Sequence, residues 1–366
     1  MTAGAARQRA APAAGIAVLL AAVAVFPLVF TNATVTNFAV VTLIFVACAS
    51  AWNLFSGYCG YLSLGHAVFF GTGAYVTGIA ARDWQVAGNG VFGLLPLAAA
   101  AAAVLAVPLG LIALRVRRHT FVVITIAYFF IAQLAASNLA VTGGSSGLLA
   151  PAPGYAAATF NNPFYYVALV LAAGTVALSW AIRRSVLGLH LRAIRDDEDR
   201  AAGLGVRVTA AKLTAFAVSG LITGAAGGLW FYFLGQAYPQ FAFDPLFDLA
   251  VVLMAFFGGL GTVAGPVLGA LVLEPAQLYL TLQFTNGYLS EILLGLLLLV
   301  VLRFLPRGVL PTAAEQWARA WAARQRAAGR GPAPPDGVPA AGSPPAGGQQ
   351  AGEVPAGGPP VSGAGS

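Results

Sequence analysis

Long apolar runs alternate with short polar breaks along most of this chain. Residues 15–30, 38–55, 67–81, 91–114, 121–141, 164–182, 213–234, 246–257, 262–282 and 288–302 are almost wholly apolar. A helix of about 20 apolar residues crosses the hydrocarbon core of a bilayer, and a shorter one does so if it tilts little. The pattern predicts an all-α polytopic membrane protein with about ten crossings, of which 67–81 and 246–257 are short enough to be re-entrant.

Composition agrees: 59% of the residues are hydrophobic and 8% charged, against about 25% charged in soluble domains. A soluble fold could not cover that much apolar surface. Arginines cluster at 115–118, 183–212 and 303–307, and ten crossings put all three clusters and both termini on one side. The cationic excess marks that side as cytoplasmic. Residues 1–14 are then a cytoplasmic N-terminus, 15–310 the transmembrane domain and 311–366 a cytoplasmic tail. The first run lacks a convincing cleavage site and is expected to stay as a span. Topology accounts for the net charge of +7, so nucleic acid is not an expected partner. Cys48 and Cys59 supply neither a disulfide framework nor a metal cluster. From about residue 332 the chain is mostly Pro, Gly, Ala and Ser, too poor in large apolar side chains to fold. Residues 312–330, with Trp317 and Trp321, read as an amphipathic helix on anionic lipid or equally as a soluble stub.

The polar stretch 183–207 concentrates six of the 19 cations and four of the 12 acids, and Lys212, the single lysine, follows it. Two short helices are expected there. Ser185 can cap the first, which carries Leu187, Leu191 and Ile194 on one face. The acids at 196–199 suit the start of the second, where carboxylates meet free N–H groups, and Gly203 or Gly205 would stop it. The apolar stripe reads as a docking surface for a cytoplasmic partner, with Leu191 and Ile194 in the partner's groove and Arg192 and Arg195 at its rim. The plainer alternative is a solvated loop.

Two glycine-dense breaks, 56–73 and 258–269, interrupt the apolar runs. Non-helical backbone at membrane depth is tolerated where it is buried in protein or lines a water-filled path, and broken helices aim their ends at a substrate. Close packing through small residues, at Ala67/Gly71 and Gly261/Gly265/Gly269, is the competing account of most of the glycines. Candidate pathway residues are Ser63, His66, Thr142, Gly143, Gly144, Ser145, Gly258 and Gly259, although a lone histidine is commonly structural. Glu274 is the deepest acid and a further candidate, unless Pro275 beside it marks an interface. No catalytic constellation is visible. A phosphate-binding Gly-x-x-x-x-Gly-Lys-Ser/Thr loop is impossible, because Lys212 is preceded by Ala211 and followed by Leu213. A transport subunit without bound cofactor or metal is expected, not an enzyme.

Four motifs in order carry a resemblance. They are Gly57-Tyr58-x-Gly60-x-Leu62-Ser63-Leu64-Gly65-His66-x-x-Phe69-Phe70-x-x-Gly73-Ala74-Tyr75, Thr142-Gly143-Gly144-Ser145-x-Gly147, Gly188-x-x-x-Arg192-Ala193-Ile194-Arg195-Asp196, and Phe257-Gly258-Gly259-Leu260-Gly261-Thr262-x-x-Gly265-Pro266-x-x-Gly269-Ala270. Over roughly residues 35–310 the chain resembles the permease subunits of branched-chain amino acid ABC importers, LivM type. The resemblance implies an inner-membrane importer for branched-chain or other small amino acids. Its partners would be a second, LivH-like permease, two cytoplasmic ATPases that hold Mg-ATP, and an extracytoplasmic substrate-binding protein. It also implies that Gly188, Leu191, Arg192, Ile194, Arg195, Asp196 and Gly205 belong to the segment that couples to the ATPase. Relatives of this kind also carry urea, amides and other small polar solutes, which keeps the substrate open. The acidic run 196–199 and the Pro/Gly tail depart from the pattern. A secondary carrier or channel would need more intramembrane ionisable groups than this chain has.

Overall fold

The computed structural model describes residues 23–283, apart from 31, 157 and 158, and scattered positions between 292 and 321. The expected N-terminal segment 1–14, most of the last span at 288–302 and the tail from 332 lie outside the described residues. Residues 317–366 form a unit of their own, in which the described residues, Trp317 and Trp321, are helical and exposed.

Helix after helix follows the apolar runs. α1 (Ala33–Trp52) is capped by the Asn32 side chain, which accepts from the Thr34 N–H at 2.9 Å. It continues into one π-turn, Asn53–Gly57. An irregular stretch then leads to α2 (His66–Asp83). A 3₁₀ segment, Gly88–Leu94, precedes α3 (Leu95–Ala113), whose first turn holds a proline. α4 spans Arg118–Asn138 and α5 spans Asn161–Arg184. Two short helices, α6 (Val186–Asp196) and α7 (Glu198–Gly203), precede α8 (Val208–Leu234). α8 stops at Gly235, whose φ of 80° is the left-handed conformation that ends helices. α9 (Pro239–Ala242), α10 (Pro245–Gly258) and α11 (Ala264–Gln283) complete the described core.

Seven helices among the described residues are long and apolar enough to cross a membrane, and residues 23–29 are helical as well. The stretch at 67–81, short enough by its pattern to be re-entrant, is the continuous 18-residue α2, which is not among those seven. It is glycine-rich because it is an inner helix. Ala67, Phe69 and Ala74 are fully buried, and a methyl group at Gly73 would collide with the Gly224 carbonyl of α8. α10 is 14 residues long and ends at Gly258, before the break, and together with α9 it makes one of the seven stretches long and apolar enough to cross.

α8 is the hub, packed between α2 and α3. Gly110 of α3 lies beside Leu213 and Phe216, and Ala102 beside Gly224, so α3 and α8 run antiparallel. Arg115 and Arg117 therefore fall at the same end of the bundle as α6, α7 and Lys212. The opposite end carries a two-stranded ribbon, β1 (Leu148–Leu149) with β2 (Gln236–Ala237), paired Leu148 to Ala237 and Leu149 to Gln236.

Candidate functional site

The polar stretch forms the two helices its pattern predicts. Ser185 accepts from the Gly188 N–H at 3.4 Å and caps α6. Asp197 caps α7 by accepting from the Arg200 N–H at 3.0 Å. α7 ends at Gly203, and Gly205 has a φ of 85°. The stripe, however, faces inward. Leu191 and Ile194 are completely buried in this chain's own core, in a cluster with Phe55, Tyr61 and Phe216. Their expected seat in a partner's groove is therefore corrected. An apolar stripe next to an unfilled bundle end is buried most readily against that bundle. Gly188 is needed for the same inward packing, since a side chain there would meet the Ile182 carbonyl across the α5–α6 corner. Over 186–205 the exposed residues are Val186, Leu189, Arg192, Asp196, Asp199, Arg200, Ala202, Gly203, Leu204 and Gly205.

Arg195 does not sit at a rim either. Its Nη1 donates to the Gly57 carbonyl at 2.7 Å, at the end of the π-turn. A side chain added at Gly60 or Gly261 would run into Arg195, so this arginine lies against both glycine-rich breaks. Arg192 is held across the α5–α6 corner, where Nε donates to the Gly188 carbonyl of α6 at 3.1 Å and Nη2 to the Arg183 carbonyl of α5 at 3.3 Å.

Asn53 joins the breaks directly. Its Oδ1 accepts from the Gly261 N–H at 2.7 Å and its Nδ2 donates to the Thr262 carbonyl at 2.8 Å. The side chain is fully buried and replaces the backbone partners that helix would have given residues 261 and 262. A second latch ties α7 to α8. Lys212 Nζ lies 2.7 Å from Glu198 Oε1 and donates to the Tyr61 hydroxyl at 3.2 Å. Tyr61 in turn donates to Glu198 Oε2 at 2.5 Å, and the Lys212 ammonium sits 4.2 Å from the centre of the Tyr61 ring. Neither Asn53, Tyr61, Glu198 nor Lys212 emerges from the sequence as a site residue. The one available signal was that the chain's single lysine lies just inside an apolar run.

Ser63 and His66 come together in the interior. His66 Nδ1 is 3.1 Å from Ser63 Oγ, and Nε2 is 2.6 Å from Ser219 Oγ. Ser219 uses its own proton on the Ala51 carbonyl at 2.7 Å, so it must accept from His66. Nε2 therefore carries a proton, and Ser63 is the partner of Nδ1. Both nitrogens are satisfied and Phe55, Phe69 and Phe216 surround the ring. This is the geometry of a structural histidine. Nearby, Asp248 of α10 accepts from the Ala67 N–H at 3.2 Å with one oxygen and 3.3 Å with the other. It thus caps the otherwise uncapped start of α2 from a different helix.

The remaining candidates lie apart. Thr142 donates to the carbonyls of Ala136 and Leu139 at 2.6 and 2.7 Å, closing the end of α4. Gly143 and Gly144 have φ of 75° and 59°, and the exposed Ser145 belongs to the same turn, which feeds β1. Gly258 and Gly259 lie at the other end. Gly258 packs against the backbone of Gly265, and Gly269 against that of Met254, so close approach of α10 and α11 accounts for these glycines. Glu274 of α11 is buried, and its Oε2 has no hydrogen-bond partner among the described residues. The residues proposed for one pathway therefore occupy four separate places. No group of His, Cys, Asp and Glu that could hold a metal occurs among the described residues.

Comparison with known proteins points the same way as the glycine-rich breaks and the latched cationic module. Residues 34–302 match a family described as branched-chain amino acid transport system / permease component. The chain is 30% identical over 330 residues to the high-affinity branched-chain amino acid transport system permease protein LivM of Escherichia coli K12, covering 82% of this chain and 75% of that protein. It is 29% identical over 167 residues to the fructose import permease protein FrcC of Rhizobium meliloti, covering 44% of each. With the permease protein LivH of Salmonella typhimurium it shares 28% over 135 residues, 37% of this chain and 43% of that one. No solved structure matches. The chain belongs to the family of branched-chain amino acid transport system permease components.

Proposed function

We propose that this chain is one permease subunit of an inner-membrane ABC importer for branched-chain or other small amino acids. It would act with a second, LivH-like permease, two ATPases and an extracytoplasmic binding protein. The end bearing α6 and α7 faces the cytoplasm, as its arginines require. The observation that carries the reading is the double attachment of α6–α7: Arg195 reaches the Gly57 carbonyl and Lys212 holds Glu198. A push on these short helices is thereby delivered to both glycine-rich breaks, which Asn53 joins.

The ATPase contact falls on the outward face. Val186, Leu189 and Leu204 are 65%, 57% and 85% exposed, an apolar triplet on an otherwise polar loop. The test is reconstitution with the ATPases, measuring co-purification, hydrolysis and uptake. Val186→Asp and Leu189→Asp should fold normally and lose ATPase binding, whereas Leu191→Asp should fail to accumulate. Full uptake and normal ATPase retention in the first two variants would refute the docking face.

A further inference from the structure

A cleft of about 740 Å³ opens at the cytoplasmic end of α5, between Trp180, Arg183, Arg184 and Arg192 on one side and residues 262–264 on the other. Its polar lining is strongly one-signed. None of the three guanidiniums is ion-paired with a carboxylate among the described residues. Arg192 is oriented by two backbone carbonyls, and Arg184 lies over the Trp180 ring with 4.0 Å to its centre. Three positive charges around an open cleft, two of them held in place, call for an anion with several acceptor oxygens, and arginine forks suit phosphate.

The surroundings decide which phosphate. Arg183 and Arg184 form the last turn of a membrane-length helix, so the cleft sits at headgroup level. Trp180, half exposed one turn earlier, is the residue type that occupies that level. By the 3.6-residue period, Val170, Ala177, Trp180 and Arg184 share one flank of α5, and all four are exposed. An apolar track thus leads into the charged cleft, which fits a ligand with a phosphate head and hydrocarbon chains. We infer that this cleft binds the phosphodiester headgroup of an anionic phospholipid of the inner leaflet. Its far wall is the break at 262–264, so the lipid touches the segment that Asn53 and Arg195 organise.

The experiment uses the intact transporter in nanodiscs of phosphatidylcholine with or without phosphatidylglycerol, followed by native mass spectrometry of retained lipid. The wild type should retain phosphatidylglycerol selectively. Arg183→Gln with Arg184→Gln should weaken retention roughly fivefold for each arginine removed, and Trp180→Ala should also lower it. Arg115→Gln with Arg117→Gln, at the same end but outside the cleft, should retain the lipid as wild type does. Equal retention by the cleft and control variants would overturn the proposal. So would displacement by inorganic phosphate without preference between the lipids, or unchanged lipid with loss of ATPase, which would make the cleft a seat for an acidic protein segment.

Discussion

Removing Glu198 should harm this protein more than removing Lys212, although the two form one ion pair. The Lys212 side chain is 2% exposed and that of Glu198 is 33% exposed. In Glu198→Ala the ammonium stays in the interior with only the Tyr61 hydroxyl and ring beside it, and an uncompensated buried charge costs about 3–5 kcal/mol. In Lys212→Met the carboxylate keeps the Tyr61 hydrogen bond and can turn to water, which limits the loss to about 1–2 kcal/mol. The Lys212→Met, Glu198→Gln double variant leaves no charge behind and should be closer to wild type than Glu198→Ala. Thermal unfolding in detergent, followed by size-exclusion recovery, ranks the three. ATP hydrolysis in proteoliposomes should also become independent of the loaded binding protein in Glu198→Ala, because α7 is then untied from α8. If Glu198→Ala is no less stable than Lys212→Met, or the double variant is worse than either single one, the latch as drawn here is wrong.

Three further outcomes are expected. Asn53→Leu strands the Gly261 N–H and Thr262 carbonyl in the interior and should cost about 2–4 kcal/mol, with Asn53→Asp intermediate because it keeps the acceptor; thermal unfolding measures both. Glu274→Leu removes a buried carboxyl that lacks a partner for one oxygen, so thermal stability should hold or rise while uptake falls; a stable variant with normal uptake would remove Glu274 from the pathway. Deleting residues 332–366, which lack the large side chains a core requires, should leave membrane levels and uptake close to wild type.

Local order was legible in the sequence and long-range pairing was not. The Ser185 cap, the stripe at Leu187, Leu191 and Ile194, and the stops at Gly203 and Gly205 are set by residues a few positions apart, so their pattern gives the helices directly. The direction the stripe faces depends on Phe55, Tyr61 and Phe216, which no local period reveals. Similarly, Asn53 and Gly261 are 208 residues apart, and Tyr61 and Glu198 are 137 apart. For the glycines the sequence offered two accounts, and close packing is the one seen. A residue without a side chain serves a substrate path and a tight helix contact equally well, and Gly73, Gly258 and Gly269 each proved to meet another backbone. Ser63, Thr142 and Glu274 lie apart because polar residues in apolar runs share only a need for partners, which Ser63 and Thr142 satisfy nearby and one oxygen of Glu274 does not.

The π-turn at Asn53–Gly57 has a consequence for how the protein tolerates length changes. A π-turn amounts to one residue too many in an α-helix. Deleting a single residue there would restore a regular helix and look harmless by composition. It would also remove the wide turn that separates Asn53 from Gly57, so the amide and the Gly57 carbonyl could no longer reach Gly261 and Arg195 together. The turn works as a spacer that sets two bonding directions from one helix end, and its residue count should resist change more strongly than the identity of Leu54 or Phe55 beside it.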